Sequence, residues 1–118
     1  NGPFVKRKPT KPPGEVFAEF EERFQEFEKV AQKKEALKLK EIPFPSEESG
    51  YFEGLTNALK TAGAQAKRVI RTLYLKWHPD KFMGRYRNKI QEEELEATQA
   101  RVTAVQQALV AVKEKLNL

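Results

Sequence analysis

Residues 66–82 read AKRVIRTLYLKWHPDKF, and how this stretch folds decides the reading of the rest. No Gly or Pro interrupts residues 66–78, and apolar side chains fall at Ala66, Val69, Ile70, Leu73, Tyr74 and Trp77. Steps of three and four residues place them on one face of a helix. Lys67, Arg68, Arg71 and Lys76 fall away from that stripe, so the opposite face is basic, with Leu75 as its single apolar residue. Pro79 disfavours helical geometry at His78 and has no amide hydrogen to donate. The helix is therefore expected to stop there, with His78, Pro79 and Asp80 forming a tight exposed turn.

Working outward, the charge distribution singles out the same region. The chain of 118 residues has a net charge of +5, and residues 60–90 alone hold nine Lys and Arg against one Asp. With 33% charged and 39% hydrophobic residues, the apolar content suffices for helix stripes around one core. There is no Cys, which excludes disulfides and thiolate metal sites and fits a reducing compartment. No apolar run approaches the roughly 20 residues of a membrane span. The sequence begins on Asn1, so it is read as part of a longer or processed chain, with nothing resembling a signal peptide at its start.

Upstream, residues 1–14 combine Lys6, Arg7, Lys8 and Lys11 with four prolines, a composition read as an extended basic arm. Residues 15–41 read as one long amphipathic helix, because Phe17, Phe20, Phe24, Phe27 and Ala31 recur at three- and four-residue steps. Four Phe on one stripe need a cover, which is either this domain's own helices or a partner chain. Ile42-Pro43-Phe44-Pro45 ends that helix, and residues 42–50 form a Pro/Ser/Glu linker. Tyr51 to Lys60 reads as a short helix with Phe52, Leu55 and Leu59 on one side, broken at Thr61-Ala62-Gly63 before the main helix begins near Ala64.

Downstream, Lys81 to Lys89 is basic, with Phe82, Met83 and Tyr86 as apolar anchors. A last helix is expected from Ile90 to Leu116. Its seam is Leu95, Val102, Val105, Leu109, Val112 and Leu116, flanked by alanines that permit close approach. The apolar face of residues 66–77 is its expected mate. The fold class is all-α.

A basic helix leading through Leu75-Lys76-Trp77 into His78-Pro79-Asp80-Lys81 resembles the J-domain, the family of co-chaperones that activate 70-kDa heat-shock proteins. The ungapped match keeps Lys67, Arg71, Leu73, Leu75, Lys76, His78, Pro79, Asp80 and Lys81, with Arg68 and Trp77 as near equivalents. Ile70, Thr72 and Phe82 depart from the pattern, and about ten extra residues separate Asp80 from the last seam. Together with Ile42-Pro43-Phe44-Pro45, Arg85-Tyr86-Arg87 and the 102–109 segment, this is similar to the carboxyl-terminal region of the NF-kappa-B inhibitor-like family. No repeat of 33 residues of the ankyrin kind is visible.

The resemblance implies a J-domain-like unit over residues 51–118, an antiparallel helix pair joined by a His-Pro-Asp loop. It implies that the chain is not itself an enzyme and uses no cofactor or metal. Its partner would be a 70-kDa heat-shock protein that binds the ATP. Asp80 would accept a charge-assisted hydrogen bond from an Arg of that partner, His78 and Pro79 would present it, and Lys67, Arg68, Arg71, Lys76 and Lys81 would steer the encounter. Leu75 would add an apolar contact. The expected setting is the nucleus and pre-mRNA processing, with the cytoplasm as the alternative.

A second hypothesis comes from another class: a nuclear scaffold that contacts spliceosomal or other ribonucleoprotein components. On it, Arg85, Arg87 and Lys89 would meet RNA phosphates, and Phe17, Phe20, Phe24 and Phe27 would hold a protein partner.

Overall fold

The computed structural model describes residues 13–118; residues 1–12 of the basic arm, with Lys6, Arg7, Lys8 and Lys11, lie outside them, and Pro13 and Gly14 open the first helix. Five α-helices account for most of that span: α1 (Pro13–Lys33), α2 (Tyr51–Ala62), α3 (Ala66–Lys76), α4 (Pro79–Tyr86) and α5 (Glu92–Lys115). Short 3-10 turns occupy Leu39–Glu41, Gly63–Gln65 and Arg87–Lys89. Among the described residues the one extended pairing is a single parallel bridge between Leu37 and Ile90, so the all-α reading holds.

The Phe stripe of α1 turns inward. Phe20 and Phe24 are buried, and Phe17 and Phe27 pack partly buried against the same core. The helix lies along α2, its most extensive neighbour, with the Phe17 and Phe20 rings 5.2 and 4.9 Å from the Tyr51 ring. The stripe is thus largely covered by this chain: Phe20 and Phe24 are buried, while Phe17 and Phe27 stay half-buried.

Trp77, fully buried at the carboxyl end of α3, is the hub of the core. Its ring stacks on Phe82 at 5.4 Å and meets Phe24 at 5.0 Å and Phe44 at 5.7 Å. One aromatic cluster therefore joins α1, the 42–50 segment, α3 and α4. The buried indole Nε1 has no hydrogen-bond partner among the described residues. Ala66, Ile70 and Leu73 of α3 and Val102, Val105, Leu109 and Val112 of α5 are buried as the periodicity predicts, and α5 packs on α3 and α4.

Two boundaries differ from expectation. The first helix ends at Lys33, well short of residue 41, although no Gly or Pro intervenes. The reason is tertiary. Leu37 is buried, and its amide donates to the Lys89 carbonyl at 2.7 Å. The Lys89 ammonium in turn donates to the carbonyls of Ala31, Gln32 and Lys34 at 2.7, 3.3 and 2.9 Å. A remote cation thereby takes up carbonyls that a helix end leaves without amide partners.

The second difference is at His78-Pro79-Asp80. In place of a free turn, Pro79 begins α4, with His78 as its N-cap. Proline suits the first helical position because its missing amide hydrogen would have no partner there, and the His78 Nδ1 accepts the Asp80 amide at 3.2 Å. The connection between α3 and α4 is only Trp77 and His78. The predicted break between α2 and α3 falls where expected: Gly63 has φ +60 and ψ −128, a conformation strained for any residue with a Cβ.

Candidate functional site

The site is built from the outer face of α3 and the start of α4. Along α3, Lys67, Arg71 and Leu75 stand at four-residue steps and share one face, and Arg68 flanks them. All four are exposed, with Leu75 at 42%. Leu75 is one of two large hydrophobic side chains exposed in this way among the described residues, so an apolar spot lies inside a basic stripe. The inner face of the same helix is anchored by Ile70, Leu73 and Trp77, which fixes the direction in which the stripe points.

At the end of the stripe the backbone reverses into α4. His78 is half-buried, its ring edge-on to Tyr74 at 6.1 Å. Asp80 and Lys81 are exposed. Asp80 stands in the first turn of α4, where a carboxylate complements the positive end of the helix dipole. No ion pair or hydrogen bond engages its carboxylate among the described residues. Arg85, on the same helix, is engaged elsewhere: its Nη2 donates to the Lys76 carbonyl at 3.0 Å and its guanidinium lies 5.8 Å from the Tyr86 ring centre. Asp80 is thus a free carboxylate on a short, well-anchored helix start, suited to a bidentate bond from a partner's guanidinium.

Three cations singled out in the sequence are engaged by other parts of the chain, two of them half-buried and Arg85 at the surface. Lys76 turns towards α1: its Nζ lies 3.2 Å from Glu21 Oε1 and 4.9 Å from the centre of the Phe24 ring. The other Glu21 oxygen accepts the Tyr51 hydroxyl at 2.9 Å. Lys89 caps α1 as described, and Arg85 ties α4 back to α3. Of the proposed RNA-contacting set only Arg87 stays exposed without such a role. Glu21, which withdraws Lys76, was not visible as a functional residue; only the fold brings it to position 76.

The displaced proton equilibria lie away from this face. Burial, and then the neighbouring Glu21, raise the Tyr51 hydroxyl far above the ordinary phenol range. Burial, reinforced by Glu28, also raises Tyr86. Glu41 is lowered by the hydrogen bond from Lys34 at 2.7 Å and by the Lys38 amide. Among the described residues no cluster of three or more His, Asp or Glu could hold a metal, and no helix is long and apolar enough to cross a membrane.

Residues 54–117, more than half of the chain, match the model of the family described as the NF-kappa-B inhibitor-like protein 1 C-terminal domain. The match covers α3, the His78-Pro79-Asp80 start of α4, and α5 to its end, together with most of α2. No solved structure matches the chain.

Proposed function

We propose that the chain, which belongs to the NF-kappa-B inhibitor-like protein 1 C-terminal domain family, is a J-domain-like co-chaperone module acting on a 70-kDa heat-shock protein. The observation that carries this reading is the free Asp80 carboxylate at the end of an exposed basic stripe. Lys67, Arg68 and Arg71 attract an acidic partner surface, chiefly raising the association rate. Leu75 contributes an apolar contact within that surface. Asp80 then accepts a charge-assisted, geometrically selective bond from the partner's Arg, with His78 and Pro79 fixing its position. Lys76 has no part in this contact, since Glu21 holds it. The pairing of α3 with α5 supports the same reading. The length of α3 and the last turns of α5 line one groove, and the two helices pack against each other. The reading includes a nuclear, pre-mRNA-processing setting, supported by the family resemblance.

The test is steady-state ATP hydrolysis by a 70-kDa heat-shock protein with and without the 118-residue chain, with Asp80→Asn in parallel. Stimulation by the unaltered chain and its loss in Asp80→Asn, at unchanged thermal stability, is the expected result. A folded chain that gives no stimulation, or a variant that stimulates fully, overturns it. The scaffold alternative would then gain ground, and Arg87→Ala would be the change to examine for RNA affinity.

A further inference from the structure

A groove of about 1330 Å³ lies between α3 and the carboxyl-terminal end of α5. Its floor is apolar: Ile70 and Leu109 are buried beneath it, Val110 and Leu118 are half-buried in its wall, and Leu75 stands at its edge. Its α3 rim is cationic, with Lys67, Arg68 and Arg71, and across the groove α5 presents Lys113 beside Glu114. None of these four makes an ion pair among the described residues, and Glu114 is the one acidic residue in the lining. An apolar floor beside a rim of three cations, with Lys113 opposite, is complementary to a ligand whose apolar stripe is flanked by carboxylates, most of them on the α3 side.

We infer that this groove docks an acidic amphipathic helix of a partner protein. Its apolar side chains would lie against Ile70, Leu75 and Leu109, and its Asp and Glu side chains would pair with Arg71 and Lys113. The length follows from α3, whose 11 residues span about 16 Å at 1.5 Å per residue, so the occupant makes about three turns. A nucleic acid fits less well. Binding a single strand needs exposed rings on which bases stack, whereas the only aromatic ring in the lining, Tyr74, is half-buried with its edge against His78. The chain's own arm is also unsuited, since Lys6, Arg7, Lys8 and Lys11 repeat the charge of the α3 rim. The inference shares Lys67, Arg71 and Leu75 with the co-chaperone surface but does not depend on it. Lys113 belongs to the groove alone.

The probe is a fluorescein-labelled 12-residue peptide with Leu at i, i+3, i+4 and i+7 and Glu or Asp at the flanking positions. A scrambled peptide of the same composition and a 12-nucleotide uridine RNA accompany it. Binding to the 118-residue chain is read by fluorescence anisotropy, and the location by amide chemical shifts. Saturable binding is expected, with shifts gathered in residues 64–75 and 109–118. Reversing a rim charge in Arg71→Glu or Lys113→Glu should weaken it about tenfold each, because an attraction is replaced by a repulsion. Asp80→Asn should leave it unchanged, which separates this inference from the co-chaperone reading. Equal affinity for the scrambled peptide, or no effect of Lys113→Glu in a folded variant, overturns the inference. So does RNA binding that shifts the same amides while the acidic peptide fails to bind.

Discussion

Replacing Lys89 with Met tests whether a side chain that reads as a surface cation is a structural cap. The ammonium lies among three carbonyls at the end of α1, with the contacts to Ala31 and Lys34 part-buried and the one to Gln32 exposed. A hydrogen bond involving a charged group contributes about 1.5–3 kcal/mol where it is desolvated. A cation at a helix carboxyl end adds about 0.3–1 kcal/mol. Met keeps the apolar stem and so isolates the loss of the charged head. Water can reach the exposed Gln32 carbonyl and replace that contact, so the two part-buried bonds set the magnitude, and the net loss should be about 2 kcal/mol. With a urea dependence of about 1.5 kcal/mol per molar, the midpoint of unfolding followed by far-ultraviolet circular dichroism should fall by about 1.3 M. Arg87→Ala, two residues away and exposed, should stay within about 0.5 kcal/mol of the unaltered chain. A Lys89→Met midpoint indistinguishable from that of Arg87→Ala would refute the reasoning and return Lys89 to the pool of available surface charge.

Two further changes address the core. Phe24→Ala removes a fully buried ring that touches Phe27 and Trp77. It should cost about 3–5 kcal/mol, much of the stability of a domain this size, and a thermal scan showing under 1 kcal/mol would mean that α1 is not integral to the fold. Tyr51 governs the alkaline limit. Its hydroxyl keeps its proton when folded but gives it up near pH 10 when unfolded, so above that pH the unfolded state binds fewer protons and stability falls as pH rises. Below pH 10 this contribution is fully present. Tyr51→Phe should therefore flatten the decline between pH 10 and 12 by up to one proton per molecule, while losing about 1 kcal/mol at neutral pH with the bond to Glu21. An unchanged alkaline slope would show that the phenol is not shielded from solvent.

Periodicity located the residues that form the core, because burial of a helix face leaves its imprint in the same few turns of sequence that make the helix. Phe20 and Phe24, the Ala66, Ile70, Leu73 and Trp77 face, and the Val102 to Val112 seam were all legible in that way. Thr98 was not, since a hydroxyl gives no apolar signal; it sits fully buried in the α5 seam with its Oγ1 donating to the Glu94 carbonyl at 2.7 Å. The ends of helices were less legible for a different reason. What stops α1 at Lys33 is a bond from a residue more than 50 positions away, and local propensity has no access to it. The start of α4 did carry a local signal: Pro79 preceded by a residue able to cap and followed by Asp80 is a pattern for a helix beginning.

Charge is where sequence and structure part most, and the difference bears on function. Residues 60–90 carry a net charge of +8, which read as a string suggests a continuous basic surface ending at Lys89. Folding divides seven of those nine cations into two sets, with Lys60 and Arg87 exposed outside both. Lys76, Arg85 and Lys89 each reach a carboxylate or carbonyl of this chain, and every one of these contacts joins two elements. Lys67, Arg68 and Arg71 are exposed and free of ion pairs among the described residues, as is Lys81 beside Asp80. Lys76 and Lys89 of the inward set reach α1 and Arg85 ties α4 to α3, while the outward set makes no such contact among the described residues. Through Glu21 the helix α1 engages Lys76, and its carboxyl end engages Lys89, so the cations left exposed along α3 are Lys67, Arg68 and Arg71. On the proposed co-chaperone reading, an acidic partner would meet this stripe and the Asp80 end of α4 before the Arg85–Lys89 segment, where Arg87 alone stays exposed and unengaged among the described residues.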